Sequence, residues 1–182
     1  MKFIQTPIDG LIVIEPAVWT DPRGYFYESY NKNLFLEAGI DLEFVQDNQS
    51  FSHRGTLRGL HAQAAPFAQG KLVRVISGRV LDVAVDIRRN SATYGQHYSV
   101  ELSADNRKMF WVPPGFLHGF ETLEDNTIFL YKVTGFYDKA SEVGVRWDDP
   151  DLNINWGLEH HEIILSEKDK VLPLFKELDS PF

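Results

Sequence analysis

The chain has 182 residues and a formal net charge of −8, from 18 lysines and arginines against 26 aspartates and glutamates. This acidity argues against nonspecific binding to nucleic acid, which needs a basic surface. The chain has no cysteine, which excludes disulfides, thiolate metal sites and cysteine nucleophiles. We find no signal-peptide pattern and no apolar run near the ~18 residues of a membrane span, so we expect a cytoplasmic protein that does not bind membranes.

Short segments with the composition of β-strands follow one another along the chain. The predicted strands are, in chain order, residues 3–4, 11–14, 24–30, 42–46, 71–76, 81–88, 96–102, 109–112, 127–134 and 143–147. Residues 32–38 predict a short helix that Gly39 ends, and residues 166–169 predict the start of a second. Short strands separated by Gly and Pro turns favour a sandwich or barrel over βαβ units. We expect residues 1–182 to form one domain.

Two segments that contain histidine can be compared with the metal-binding motifs of cupins. Pro113-x-Gly115-x-x-His118 resembles the second metal-binding motif of cupins. The first cupin motif has His-x-His followed by Glu, and here Gln63 stands where the second His would be, with no acidic residue between His61 and Asp82. Two distant histidines are too few donors for a transition metal. The sequence therefore predicts no metal and no cofactor.

The segment around His61 has the residue types for acid–base chemistry. Histidine titrates nearest physiological pH, and a carboxylate such as Asp169 could orient its ring. Tyr131 lies in an alternating run, where its phenol could donate a proton, and Lys71 could stabilise an enolate. Each residue also has a structural reading. His61 and Tyr131 could be hydrogen-bonded core residues, Asp169 could complete a helix cap three residues after Ser166, and Lys71 could be solvated.

Several motifs together resemble the dTDP-4-dehydrorhamnose 3,5-epimerase family. They are DPRGYFYESY, FVQDNQS, LRGLH, QGKLVRV, LDVAVDIRRNSATYG, WVPPGFLHGF, FLYKVTGFYDKASE and LSEKD, in the family's order from Asp21 to Asp169. The resemblance implies a mainly β fold, a cupin-type jelly-roll barrel with a few short peripheral helices. It also implies an isomerase that inverts C3 and C5 of a dTDP-4-keto-6-deoxyhexose, toward dTDP-rhamnose.

The resemblance assigns a role to each residue that matches a family motif. His61 matches the general base and Asp169 its partner, Tyr131 the acid on the opposite face, and Lys71 the residue near the enolate oxygen. The implied substrate-binding residues are Arg23, Glu28, Gln46, Asn48, Arg58, His118 and Glu142. The family is usually a homodimer, so the region of Arg23 and Glu28 is expected to complete the neighbouring subunit's pocket.

Some positions depart from the family pattern. Ala62 stands where Phe or Tyr commonly follows the histidine, and we expect the loss of bulk to widen the pocket or alter the substrate. The main rival function is a single-site epimerase acting at C3 or C5. Two further functions stay open, which are a metal-dependent oxygenase, testable by metal analysis, and a noncatalytic sugar-binding jelly roll.

Overall fold

The computed structural model describes residues 1–182. Its strands are, in chain order, β1 (Lys2–Gln5), β2 (Ile12–Glu15), β3 (Trp19–Asp21), β4 (Gly24–Phe26), β5 (Gln46–Ser52), β6 (Leu57–Gln63), β7 (Lys71–Ser77), β8 (Arg79–Asp86), β9 (His97–Ser103), β10 (Met109–Val112), β11 (Phe116–Thr122), β12 (Thr127–Val133) and β13 (Glu142–Gly144). The α-helices are α1 (Lys32–Glu37) and α2 (Glu167–Lys170), and single 3₁₀ turns lie at Lys139–Ser141, His160–Glu162 and Phe175–Glu177.

Two antiparallel sheets form the body of the molecule. The six-stranded sheet has the order β1-β2-β10-β7-β12-β5, and the five-stranded sheet has the order β13-β6-β11-β8-β9. Along the chain, β10, β11, β12 and β13 alternate between the two sheets, which is the crossing pattern of a jelly roll. The predicted fold class, a cupin-type jelly roll with few helices, is confirmed. No helix is long and apolar enough to cross a membrane.

Hydrophobic clusters fill the space between the sheets and cover both outer faces. A cluster of 13 buried residues from both sheets forms the interior. A cluster of 7, which includes Phe35 of α1, covers the outer face of the six-stranded sheet. A cluster of 11 packs residues from the segment after β13, such as Trp147 and Trp156, on the outer face of the five-stranded sheet. The segment after β13 is therefore fixed to the sheet that carries His61.

The predicted alternation in β8 is present, but its apolar face lies on the outside of the barrel. Val83 and Val85 belong to the outer cluster. Val80 and Ala84 point into the interior, and so does Asp82, which lies between them on the same face. The polar residue of the pattern thus faces the inside of the barrel, where it is fully buried.

Most predicted strands are present, with shifts where the sequence is polar. The predicted strand at 42–46 is wrong, since residues 41–45 have no regular structure and β5 begins at Gln46. The predictions at 24–30 and 143–147 are too long. The two helices are confirmed. Asn31 caps α1, and the Ser166 hydroxyl caps α2.

Candidate active site

A cavity of about 470 Å³ opens between the two sheets. Its walls are formed by β5, β6, β7, β11, β12 and the segment that leads into α2, through Ser50, Thr56, Leu57, Arg58, His61, Lys71, His118, Phe120, Phe129, Tyr131, Ile164, Leu165, Ser166, Lys168 and Asp169. All four residues proposed from the sequence for acid–base chemistry lie in this wall. Residues far apart in the chain are therefore brought together at one cavity.

His61 and Asp169 form a hydrogen-bonded pair. The His61 Nε2 lies 2.6 Å from the Asp169 Oδ1, although the residues are 108 positions apart. Burial alone would raise the pKa of Asp169, but the hydrogen bond and charge of His61, with smaller contributions from Ser166 and Lys168, hold that pKa below its usual value. The carboxylate is thus ionised and accepts a hydrogen bond from the Nε2–H group, which leaves Nδ1 as the nitrogen with a free lone pair.

Asp169 takes part in the helix cap and also pairs with His61, because its backbone N–H serves the cap and its carboxylate contacts the histidine. The Ser166 hydroxyl accepts a hydrogen bond from the Asp169 backbone N–H at 3.2 Å, which caps α2. The Asp169 carboxylate bonds to His61. A further contact fixes this segment, since Thr56 and Ile164 form a parallel bridge beside β6. The helix cap and the bridge together set the position of the carboxylate.

Glu142 lies beside the other nitrogen of His61, and two further polar side chains bond to Glu142. Its Nδ1 lies 3.7 Å from the Glu142 Oε1. The Lys168 ammonium donates to the same oxygen at 2.7 Å, and the Tyr137 hydroxyl donates to the Glu142 Oε2 at 3.2 Å. Glu142 is therefore a carboxylate placed between the ring of His61 and the more exposed groups at the rim of the cavity.

Lys71 and Tyr131 enter the cavity from the six-stranded sheet, opposite His61. Burial lowers the pKa of Lys71 to about 8, although Asp82 and Glu142 act against the shift. The residue borders the cavity and keeps some exposure, yet its ammonium is surrounded by protein, so desolvation is the main influence. Burial raises the pKa of Tyr131, and the charge of Arg58 partly opposes this shift. At neutral pH the phenol keeps its proton and can act as a donor.

His118 lies beside His61 in the sheet and has its own carboxylate. The two histidines are register partners on β11 and β6. The His118 Nε2 lies 2.9 Å and 3.0 Å from the two carboxylate oxygens of Asp82. Burial raises the pKa of Asp82, while His118 and Lys71 oppose the shift. The pair places a second oriented imidazole in the cavity wall.

Of the remaining predicted binding residues, three lie on strands that form the cavity wall, and two lie away from the cavity. Arg58 lies in the cavity wall, and its Nε donates to the Ser52 hydroxyl at 3.3 Å. Gln46 and Asn48 lie on β5, where the Gln46 amide donates to Asn48 at 2.7 Å. Arg23 and Glu28 do not reach the cavity of their own chain. The Arg23 side chain is 90% exposed beside Asp21, and Glu28 accepts a hydrogen bond from Asn31.

Gln63 holds loops together at the position where a cupin metal ligand would be. Its amide donates to the carbonyls of Phe67 and Phe136, at 2.6 Å and 3.1 Å. Its carbonyl accepts from the Asp138 N–H at 2.8 Å. No group of three or more His, Asp or Glu residues has the arrangement of a metal site.

Ala62 does not border the cavity, so the expectation of a widened pocket is wrong. It lies on the outer face of β6, within the outer cluster, and is 6% exposed. The sequence reasoning also missed Asp82, Lys168 and Tyr137. Lys168 is the neighbour of Asp169 in LSEKD, and Asp82 is the polar residue in the alternating run of β8. No local signal marked either residue as part of a site.

The two walls of the cavity carry complementary proton carriers. A carboxylate-oriented imidazole on the five-stranded sheet faces a phenol and an ammonium on the six-stranded sheet. A jelly roll with this cavity has the form of an isomerase that moves protons at carbon.

Comparison with known proteins identifies the family. The model of the dTDP-4-dehydrorhamnose 3,5-epimerase family matches residues 5–177. The dTDP-4-dehydrorhamnose 3,5-epimerase of Methanothermobacter thermautotrophicus is 53% identical over 93% of this chain and 91% of its own. The chain therefore belongs to the dTDP-4-dehydrorhamnose 3,5-epimerase family, whose members are isomerases.

Solved structures agree with this assignment. The crystal structure of the enzyme from Elizabethkingia anophelis NUHP1 has a TM-score of 0.93 and 51% identity, covering 97% of each chain. The dTDP-6-deoxy-D-glucose-3,5-epimerase of Legionella pneumophila Philadelphia 1, in complex with dTDP-4-keto-L-rhamnose, has a TM-score of 0.94 and 46% identity. The match covers 98% of this chain and 94% of that one.

Proposed function

We propose that this chain, acting as one domain, inverts C3 and C5 of a dTDP-4-keto-6-deoxyhexose, toward dTDP-rhamnose. The observation that carries the proposal is the placement of His61 and Tyr131 on different sheets, across one cavity that also contains Lys71. Inversion needs a proton to leave one face of a carbon and another to arrive on the opposite face. A base and an acid on opposite walls fulfil this requirement.

The reaction begins with the ketone at C4, which acidifies the hydrogens at C3 and C5. His61, with Nε2 held by Asp169, takes the proton at Nδ1, and the electrons move into an enolate. The Lys71 ammonium stabilises the enolate oxygen, and Tyr131 returns a proton to the opposite face. Positioned acids and bases contribute about 10²–10⁴-fold each, so stabilisation of the enolate contributes much of the remainder.

Binding of the nucleotide part depends on arginines, because the protein as a whole is acidic. Arg58 at the cavity is suited to the diphosphate, since a guanidinium binds oxygens bidentately. Hydrogen bonds to charged groups are worth roughly 1.5–3 kcal/mol each. Salt screens the general repulsion over ~8 Å, so a few such bonds outweigh it. Gln46, Asn48, His118 and Glu142 would contact the rest of the nucleotide sugar.

We also propose a homodimer in which Arg23 and Glu28 serve the partner's pocket. Both are remote from the cavity of their own chain. The β3–β4 hairpin that carries Arg23 exposes large apolar side chains, with Trp19 56% and Phe26 66% exposed. An exposed aromatic group of this size is typical of a surface that another chain covers. Analytical ultracentrifugation would test the dimer, and a monomer would contradict it.

A cytoplasmic location stays a prediction.

Incubation with dTDP-4-keto-6-deoxyglucose in D₂O, followed by NMR and mass spectrometry, tests the proposed reaction. Deuterium at both C3 and C5 with inversion is the expected result. Deuterium at one carbon would favour the single-site epimerase, and binding without any exchange would favour a noncatalytic sugar-binding protein.

Paired variants test His61 as the base. His61→Asn is expected to abolish exchange while the fold survives. His53→Asn removes an imidazole whose side chain is 70% exposed and is expected to leave exchange intact. Full activity of His61→Asn would end its assignment as base.

A further inference from the structure

Double epimerisation on one bound sugar imposes a requirement that the base and acid alone do not meet. When the first carbon has inverted, His61 holds the proton that it removed, and Tyr131 has lost its own. Neither can act on the second carbon in this state. If the proposed function is right, the enzyme must remove the proton from His61 and return a proton to Tyr131 before the sugar leaves.

The geometry of the His61 ring shows where its proton can leave. Nε2 is engaged by Asp169 at 2.6 Å, so the proton from the sugar resides on Nδ1. The acceptor beside Nδ1 is the Glu142 Oε1, at 3.7 Å. This distance is longer than a hydrogen bond, but a small side-chain movement or one bridging water closes it. Catalytic hydrogen bonds are often this long before substrate binds.

Glu142 also connects to the outside of the cavity. Its side chain is only 16% exposed, whereas that of Lys168, bonded to it at 2.7 Å, is 50% exposed. Tyr137, which donates to the other oxygen, is 58% exposed. Glu142 therefore spans the distance between a sheltered base and groups in contact with water.

The charge of Glu142 suits an acceptor. Burial would raise its pKa, but the hydrogen bond from Lys168 and the charge of His61 outweigh this and hold the pKa below its ordinary value. Lys71 and the carboxylate of Asp169 are further charged groups in this region. The carboxylate is ionised and lies beside Nδ1, so it can take a proton from the imidazolium, and its low pKa means that it releases this proton readily to water.

We propose that Glu142 is the proton outlet that resets His61 between the two epimerisations. The imidazolium gives its Nδ1 proton to the Glu142 carboxylate, and Glu142 gives it to water at the rim of the cavity. The Tyr131 phenolate takes one proton from water. One proton leaves and one enters, no bond of the sugar changes, and the site regains a neutral imidazole and a phenol. This role is additional to any contact of Glu142 with the sugar.

Glu142→Gln tests the outlet, because it keeps the shape of the side chain but cannot accept the proton. The assay is a single turnover of dTDP-4-keto-6-deoxyglucose in D₂O, with singly and doubly inverted sugars quantified by NMR. A positioned proton acceptor contributes roughly 10²–10⁴-fold, and water replaces only part of it, so the ratio of singly to doubly inverted sugar should rise by about tenfold or more. Glu43→Gln, the same charge change at an exposed residue, should keep the wild-type ratio.

Chemical rescue separates proton transfer from a structural or binding role. Glu142→Ala leaves space for a small acid, so added formate or acetate should restore the second inversion in proportion to its concentration. A Glu142→Gln enzyme with the wild-type ratio overturns the outlet, even if its overall rate is low. A raised KM with equal slowing at both carbons and no rescue also overturns it, since a residue that only binds the sugar behaves in this way. Absence of exchange by the wild type would instead overturn the proposed function, and with it the outlet.

Discussion

Asp169→Asn is the substitution that most directly tests how the base is activated. It preserves the size of the side chain and removes the charge that His61 contacts at 2.6 Å. The carboxylate has only 5% of its side-chain surface exposed, so water cannot replace it. The asparagine amide can also present its NH₂ to Nε2. Nδ1 would then carry the proton, and the base would have no free lone pair.

The expected loss of rate follows from these two effects. A hydrogen bond to a charged partner is worth roughly 1.5–3 kcal/mol. At 1.36 kcal/mol for each factor of ten, its loss slows proton abstraction by about 12–160-fold. The wrong tautomer of a catalytic histidine costs up to ~10⁴-fold in a serine-protease triad that undergoes the same carboxylate-to-amide change. We therefore expect kcat to fall by about 10²–10⁴-fold.

Deuterium uptake at C3 and C5 measures this loss directly, with Asp105→Asn as a control that removes an exposed carboxylate elsewhere. The pKa of Asp169 is lowered in the folded protein, so its contribution to stability is present above the unfolded pKa and lost as pH falls through the folded value. Wild type should thus be more stable than Asp169→Asn at pH 7, and this difference in the free energy of unfolding should disappear below about pH 4. A kcat within threefold of wild type would refute the reasoning on the base.

Three further substitutions test the surroundings of the site. Lys71→Met should abolish exchange yet raise the free energy of unfolding at pH 7 by about 1–3 kcal/mol, because a buried ammonium with a pKa of about 8 costs stability. Denaturant titrations should show this gain shrink between pH 8 and about 10, where the folded and then the unfolded lysine lose the proton. Gln63→Ala removes hydrogen bonds to three backbone groups and should lower the free energy of unfolding by roughly 2–4 kcal/mol in the same titrations; a loss under 0.5 kcal/mol would contradict it. Gly55→Ala places a Cβ 2.2 Å from the Glu162 carbonyl oxygen at a φ of +87°, so it should cost at least about 2 kcal/mol and also reduce kcat, by moving the segment that carries Asp169. Wild-type kcat and stability in Gly55→Ala would show that this contact does not position Asp169.

The sequence predicted those strands whose apolar residues alternate or run continuously. β7, β8 and β10 were found in this way. β5 was displaced because its residues, QDNQSFS, are almost all polar. The strand exists through its pairing with β12, which supplies a register partner for every residue from Gln46 to Ser52. Such a pairing with a distant segment leaves no periodic signal in the residues of β5.

In the candidate site, too, contacts between residues close in sequence were predictable, and contacts between distant segments were not. The cap of α2 by Ser166 was visible in the sequence because it spans three residues. The pairing of His61 with Asp169 spans 108 residues, so residue types alone offered Asp169 as a candidate and only the family resemblance assigned it. Lys168 and Tyr137 meet at Glu142 through three segments of the chain, and nothing in any one segment predicts the meeting.

Asp82, the polar residue on the inner face of β8, lies behind the cavity wall and contacts that wall through His118. Asp82 is fully buried and hydrogen-bonded to His118, and an unpaired carboxylate there would cost several kcal/mol. An apolar residue at that position would pack the interior between Val80 and Ala84 without this cost. The strand therefore gives up stability at the point where Asp82 holds His118 of the cavity wall, and a cost of this kind is expected at sites that bind or react. This argument from burial is independent of the family comparison, and through His118 it points to the same cavity.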